Sequence, residues 1–219
     1  MTTRPIRWLV PLSAAALLLA AFGGWAAITV ADLPDNVPLH HPIALTYTVR
    51  QHGHTLLDDL RGSIEARNGD AVVRAEATAE GEKGQYTATV VPTKSGDWTI
   101  TIRSGFGNSD VTLLPIQVFD PGAQPVAISD AERGRRLFVA KGCVTCHVQA
   151  DIAGSGRVAV GPELTELRFD PDYLRRFLSN PSIKPPQPGT GNQMPNLGLK
   201  PPEIAALTAF LNGDRQASR

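Results

Sequence analysis

The sequence predicts a multidomain protein, an all-β sandwich followed by a small all-α domain. Three observations carry that expectation. Between residues 25 and 120, six short β-branched runs alternate apolar and polar positions and are separated by Gly, Asp and Asn. A Pro- and Gly-rich stretch over 121–128, with Pro121, Gly122 and Pro125 close together, reads as a linker. From 129 to 219 the periodicity becomes helical, with start and stop residues at the ends of each helical run. A length of 219 residues leaves room for two cores of ordinary size.

The chain opens with Arg4 and Arg7 ahead of an uncharged run from Trp8 to Ala31, the charge and apolar order of an export signal. Residues 1–24 are therefore expected to be a signal peptide or a membrane anchor. Ala21 and Gly23 offer a small-residue cleavage site, while the whole uncharged run is also long enough to span a bilayer. Either way the expected location is extracytoplasmic, in a periplasm or on the outer face of the cytoplasmic membrane. "WAAITVAD" within that run also reads as a first strand.

The strand candidates are Ile43 to Arg50, Gly62 to Arg67, Ala71 to Thr78, Gly84 to Val91, Asp97 to Ser104 and Val111 to Phe119. Their spacing suits a sandwich of immunoglobulin-like type. "QYTATVV" and "DWTITI", joined by "PTKSG", are expected to form a hairpin with Tyr86 and Trp98 on facing strands as core aromatics. In the second half, Ser129 with Glu132 forms a capping-box pattern, Asp170-Pro171 starts "PDYLRRFLSN", and a last helix carries Ile204, Leu207 and Leu211 and ends at Asn212-Gly213.

The formal charge is zero, with 21 basic and 21 acidic residues, which points away from nucleic acid as a partner. The balance is uneven along the chain. Residues 25–125 carry 7 basic and 12 acidic side chains, net −5, and residues 126–219 carry 12 and 9, net +3. That excess hints at a basic rim for an acidic partner.

Both cysteines fall in "KGCVTCHVQA", where Cys143, Cys146 and His147 have the spacing Cys-x-x-Cys-His. On one helical turn, two such thiols project to one side and can form thioethers to the vinyl groups of a haem, while the adjacent imidazole turns onto the iron. A thiol redox motif, a zinc site and a structural disulfide remain alternatives. The first would follow a strand rather than a helix, and the second would need further ligands where no other Cys exists. Met194, in the Pro- and Gly-rich "GNQMPNLGLK", is a candidate sixth ligand, a soft sulfur suited to haem iron.

Residues 129 to 212 resemble a small monohaem cytochrome c. "GRRLFVAKGCVTCH" is similar to its first helix and attachment site, "GPELTELR" to the segment behind the proximal histidine, "PDYLRRFLSNPS" to its middle helix, and "MPNLGLKPPEIAALTAFL" to the axial-methionine loop and last helix. The resemblance implies one covalent haem c on Cys143 and Cys146, with His147 and Met194 as axial ligands and Pro162 holding the proximal imidazole. It also implies that Gly134 and Phe138 pack against Leu207 and Phe210. With both axial positions filled by protein, electron transfer is favoured over catalysis, and methionine ligation raises the potential.

The first domain is distantly similar to copper-resistance sandwich domains of exported proteins. His40, His41, His52 and His54 raise the question of copper, but copper sites that need Cys are excluded because both thiols are committed to haem. The expected function is that of an exported electron carrier with redox protein partners, serving a membrane respiratory complex. The alternatives are a cytochrome subunit of a membrane oxidoreductase or terminal oxidase, and a haem-based gas sensor.

Overall fold

The computed structural model describes residues 24–186, 188 and 192–213. The expected signal peptide or membrane anchor, residues 1–24, lies outside the described residues apart from Gly24. Among the described residues, eleven strands, β1 (Ala26–Val30), β2 (Asn36–Pro38), β3 (Ile43–Gln51), β4 (Thr55–Leu56), β5 (Ser63–Asn68), β6 (Ala71–Glu76), β7 (Thr78–Ala79), β8 (Gln85–Val90), β9 (Gly96–Arg103), β10 (Asp110–Thr112) and β11 (Ile116–Phe119), precede four α-helices. These are α1 (Asp130–Ala140), α2 (Cys143–Cys146), α3 (Pro171–Ser179) and α4 (Pro201–Asn212). Residues 120–129 between the two groups contain neither strand nor helix.

The strands form two sheets, one in the order β1-β3-β8-β7 with β4 on β3, the other β2-β11-β9-β5-β6 with β10 on β9. Alternation places the apolar set inward. In β3, Ile43, Leu45, Tyr47 and Val49 are buried while the residues between them are not, and in β9 Trp98, Ile100 and Ile102 are fully buried. Tyr47 and Tyr86 stack at 5.8 Å between ring centroids, and the Trp98 indole donates to the Lys94 carbonyl at 2.9 Å.

The strand pairing corrects two expectations. β8 and β9 are not a hairpin: β8 pairs with β3 and β7, β9 with β5, β10 and β11, so "PTKSG" carries the chain from one sheet to the other. Both strands present a buried face, and that requirement is met equally well by packing across the core as by pairing edge to edge. Tyr86 and Trp98 are core residues, but of opposite sheets. "VTLLPIQVF" is two strands, interrupted around Pro115, which has no N–H to give to a ladder. β2, β4 and β7, at two or three residues each, are too short for alternation to reveal them in the sequence. β1 lies within the uncharged run Trp8 to Ala31, where "WAAITVAD" was expected to hold a first strand, and Ala26–Val30 pair with β3. Among the described residues no helix is long and apolar enough to cross a membrane.

The helices follow their local signals. The Ser129 hydroxyl accepts from the Glu132 N–H at 3.2 Å at the start of α1, and the Asp170 carboxylate accepts from the Tyr173 N–H at 2.7 Å at the start of α3. The Glu132 side chain does not close a reciprocal box; it pairs with Arg136 at 3.0 Å one turn on. α1 and α4 cross at Gly134, where a Cβ would collide with the Ala206 carbonyl, and beside it the Phe138 ring meets Phe210 edge-on at 5.7 Å. The contacts to Phe210 are those the resemblance implied, while the backbone that Gly134 meets is that of Ala206, beside the expected Leu207. The close approach requires the absence of a side chain at 134.

The β-rich and helical parts meet at β1, at the residues that follow it and at β10. The Lys141 ammonium, 4 % exposed, donates to the Ala31 carbonyl and pairs with Glu203, both at 2.7 Å. Arg133 pairs with the Asp35 carboxylate, Arg136 donates to the Asp35 carbonyl at 2.9 Å, Lys200 meets Asp32 at 2.5 Å and Arg157 meets Asp110 at 2.5 Å. Part of the charge difference between the two halves is therefore spent inside the molecule.

Candidate functional site

The attachment turn is built by the end of α1. Gly142, at φ 79°, reverses the chain after Lys141 in a conformation a side chain would strain, and a Cβ there would lie 2.5 Å from the Ile28 carbonyl of β1. The single turn of α2 then sets Cys143 and Cys146 three residues apart, and His147 leaves the helix in an extended conformation. The irregular return segment 156–164 satisfies the backbone of this turn: Gly156 donates to Val144, Val158 to Thr145, Gly161 to Cys146 and Leu164 to Val148.

That return places Pro162 behind the histidine. The His147 Nδ1 lies 2.9 Å from the Pro162 carbonyl oxygen, which can only accept, so Nδ1 carries the proton and Nε2 keeps its lone pair. Burial lowers the pKa of His147, opposed by that hydrogen bond, and the neutral imidazole is the form that can ligate iron. A Cβ on Gly161 would run into the same ring, 2.6 Å from Nδ1. Gly142 and Gly161 shape this candidate site and are absent from the sequence expectations; the Gly-Pro pair at 161–162 was the available signal for the second.

The two thiols are free, not joined as a disulfide. Burial pushes Cys143 up to about 12, with the neighbouring Cys146 adding to the effect, and pushes Cys146 up to about 11. Burial thus favours the neutral thiol over the thiolate at both positions. Two free thiols on one turn, a neutral histidine with Nε2 available, and a glycine in contact with its ring together fit a covalently held haem.

Met194 lies in the segment before α4, partly buried and packed against the core. Gln193 donates from its side chain to the Lys184 carbonyl at 3.1 Å, and the Glu203 carboxylate accepts from the Lys200 N–H at 2.8 Å, which closes the start of α4. His40 and His41 precede β3 while His52 and His54 follow it, so the nine-residue strand separates the pairs by roughly 25–30 Å. Among the described residues no group of three or more His, Cys, Asp and Glu side chains could hold a metal ion.

The helical fold and this donor set define a haem-binding electron-transfer domain. Residues 131–213 match the cytochrome c family, so the chain carries a cytochrome c domain, and that family implies covalently bound haem c. No curated protein matches the chain. Among solved structures, the Lin-41 filamin domain is 16 % identical with a TM-score of 0.34, over 45 % of this chain and 93 % of that one. Domains 4 and 5 of the S-layer protein SbsC are 20 % identical with a TM-score of 0.32, over 42 % of this chain and 44 % of theirs. A superoxide reductase (neelaredoxin) from Ignicoccus hospitalis is 16 % identical with a TM-score of 0.31, over 42 % of this chain and 80 % of that one.

Proposed function

We propose that this protein is an exported single-electron carrier with one haem c, held by thioethers from Cys143 and Cys146 and ligated by His147 and Met194. The observation that carries the reading is the 2.9 Å hydrogen bond from His147 Nδ1 to Pro162, directly behind two free thiols on one helical turn. A chain with only two cysteines supports a single attachment site. The haem would supply the Fe(II)/Fe(III) couple. The protein residues orient the imidazole, keep it neutral and offer a thioether in place of an open coordination position.

The export reading rests on Arg4, Arg7 and the apolar run behind them. It places the carrier outside the cytoplasm, with redox proteins of a membrane respiratory complex as partners. The immunoglobulin-like reading of the N-terminal part is supported by its strand order. β1-β3-β8-β7 runs as A-B-E-D and β11-β9-β5 as G-F-C, with β2 parallel to β11.

The test is the absorption spectrum of the exported protein in both oxidation states, with the potential titrated in the same cell and the intact mass measured. A c-type α-band, a Met-to-iron charge-transfer band, a positive potential and the mass of one haem are expected. A five-coordinate spectrum that binds carbon monoxide would overturn the methionine assignment and favour a sensor.

A further inference from the structure

The segment that bears Met194 is held from outside the helical domain. β3 and β4 are joined by a three-residue loop, 52–54, in which His52 (φ 51°) and Gly53 (φ 80°) both have positive φ and the His54 N–H donates to the Gln51 carbonyl at 3.0 Å. His52 and His54 are exposed, yet Gly53 between them is buried. The reason is its neighbours. A Cβ on Gly53 would lie 3.6 Å from Pro195 Cγ and 3.9 Å from the Trp25 ring. Trp25 in turn accepts at its carbonyl from the His52 N–H at 3.0 Å and packs its ring against the His52 imidazole at 5.5 Å.

The residue after Met194 therefore rests on a turn of the β-rich part. Five residues further on, Lys200 meets Asp32, a second fastening of the same loop. The strand between these contacts also touches the attachment side, where Ile28 abuts Gly142. Ile28 thus reaches the attachment turn and Asp32 the segment that bears Met194, while Trp25 supports the turn on which Pro195 rests.

We propose that the β-rich domain clamps the axial-ligand loop, with Trp25 and the Gln51–His54 turn as positioning elements that seat Pro195 and so keep Met194 on the iron. The inference rests on the His147/Met194 reading above. A methionine on a Gly- and Pro-rich loop leaves the iron through loop motion, and a contact that exists only in the seated state shifts that equilibrium toward the bound form.

The test uses the full-length, haem-loaded protein and four variants: Trp25→Ala, Pro195→Ala, the double variant, and Ile100→Ala, which truncates the β-rich core away from the loop. Met194→Ala provides the fully opened reference. The readouts are the Met-to-iron charge-transfer band, carbon monoxide binding by the reduced protein, and amide hydrogen exchange across residues 192–200. Trp25→Ala and Pro195→Ala are each expected to raise the carbon-monoxide-reactive fraction roughly tenfold, the factor that accompanies loss of about 1.4 kcal/mol of seating energy. Exchange of the loop should quicken, and the double variant should go little further than either single one. Ile100→Ala should leave all three readouts at wild-type values.

Wild-type carbon monoxide reactivity in both single variants, with the charge-transfer band intact, would overturn the clamp while leaving methionine ligation standing. An equal response from Ile100→Ala would overturn it as well, since the effect would then be general loosening. If Trp25→Ala unfolds the β-rich part, Pro195→Ala decides alone, because its change lies in the loop. Absence of the band from the wild-type protein would instead remove methionine ligation itself, and the clamp with it.

Discussion

Lys141 and Glu203 form a nearly buried ion pair, 2.7 Å apart and 4 % and 12 % exposed, at the point where α1 ends and α4 begins. The same ammonium donates to the Ala31 carbonyl, and the same carboxyl group accepts from the Lys200 N–H. One pair thus joins both helices to the strand behind the attachment turn. Removing one partner leaves the other charge with little solvent to replace it. Glu203→Gln is expected to lower stability by about 2–4 kcal/mol, read from the denaturant midpoint, and Lys141→Met/Glu203→Leu to lose less than Glu203→Gln alone.

The crossing of α1 and α4 depends on Gly134. A methyl group there meets the Ala206 carbonyl and approaches Phe210 Cβ to 2.7 Å, so the helices must separate. Gly134→Ala should cost about 1–3 kcal/mol despite alanine's better helix propensity, and Gly134→Val more, measured by thermal unfolding. A neutral or stabilising alanine would show that the crossing can relax.

Met194→Ala should open the iron. The expected outcome is loss of the charge-transfer band, a lower reduction potential and carbon monoxide binding, with the covalent haem retained. An unchanged spectrum and potential would mean that another group is the sixth ligand. Cys143→Ser with Cys146→Ser should instead abolish covalent attachment, seen as loss of the haem mass from the denatured chain.

Glu65, buried on β5, accepts from Arg67 at 2.5 Å and Arg74 at 2.7 Å, and these two hydrogen bonds hold its pKa down to about 2. A carboxyl group with a depressed folded pKa contributes stability that is complete above its unfolded value and lost as the pH falls through the folded one. Acid unfolding of the β-rich part should therefore steepen between about pH 4.5 and pH 2, and Glu65→Gln should flatten that interval. Circular dichroism at fixed denaturant across that range measures it.

Much of the helical domain is legible in the chain itself. Cys143, Cys146 and His147 are adjacent in sequence, and the helix starts at Ser129 and Asp170 are local patterns of three or four residues, so a short window contains all the physics they need. The inward alternation of β3, β8 and β9 is equally readable, because burial of one face requires only period two.

What tertiary structure alone decided is which of these pieces meet. The sequence could not distinguish β8 and β9 as a hairpin from β8 and β9 in opposite sheets, since the alternation is the same in both and the choice is made by the other strands available for pairing. Nor could it show Gly142 against Ile28, Gly53 under Pro195, or the carboxylates of Asp32, Asp35 and Asp110 on the basic residues of the helical domain. Its opposite net charges were visible in the sequence, but charge totals carry no address. Chemistry that depends on neighbours in the chain was determined by the sequence itself; the positioning of that chemistry depends on contacts between distant residues, whose loop closure is favourable only once the whole core is buried.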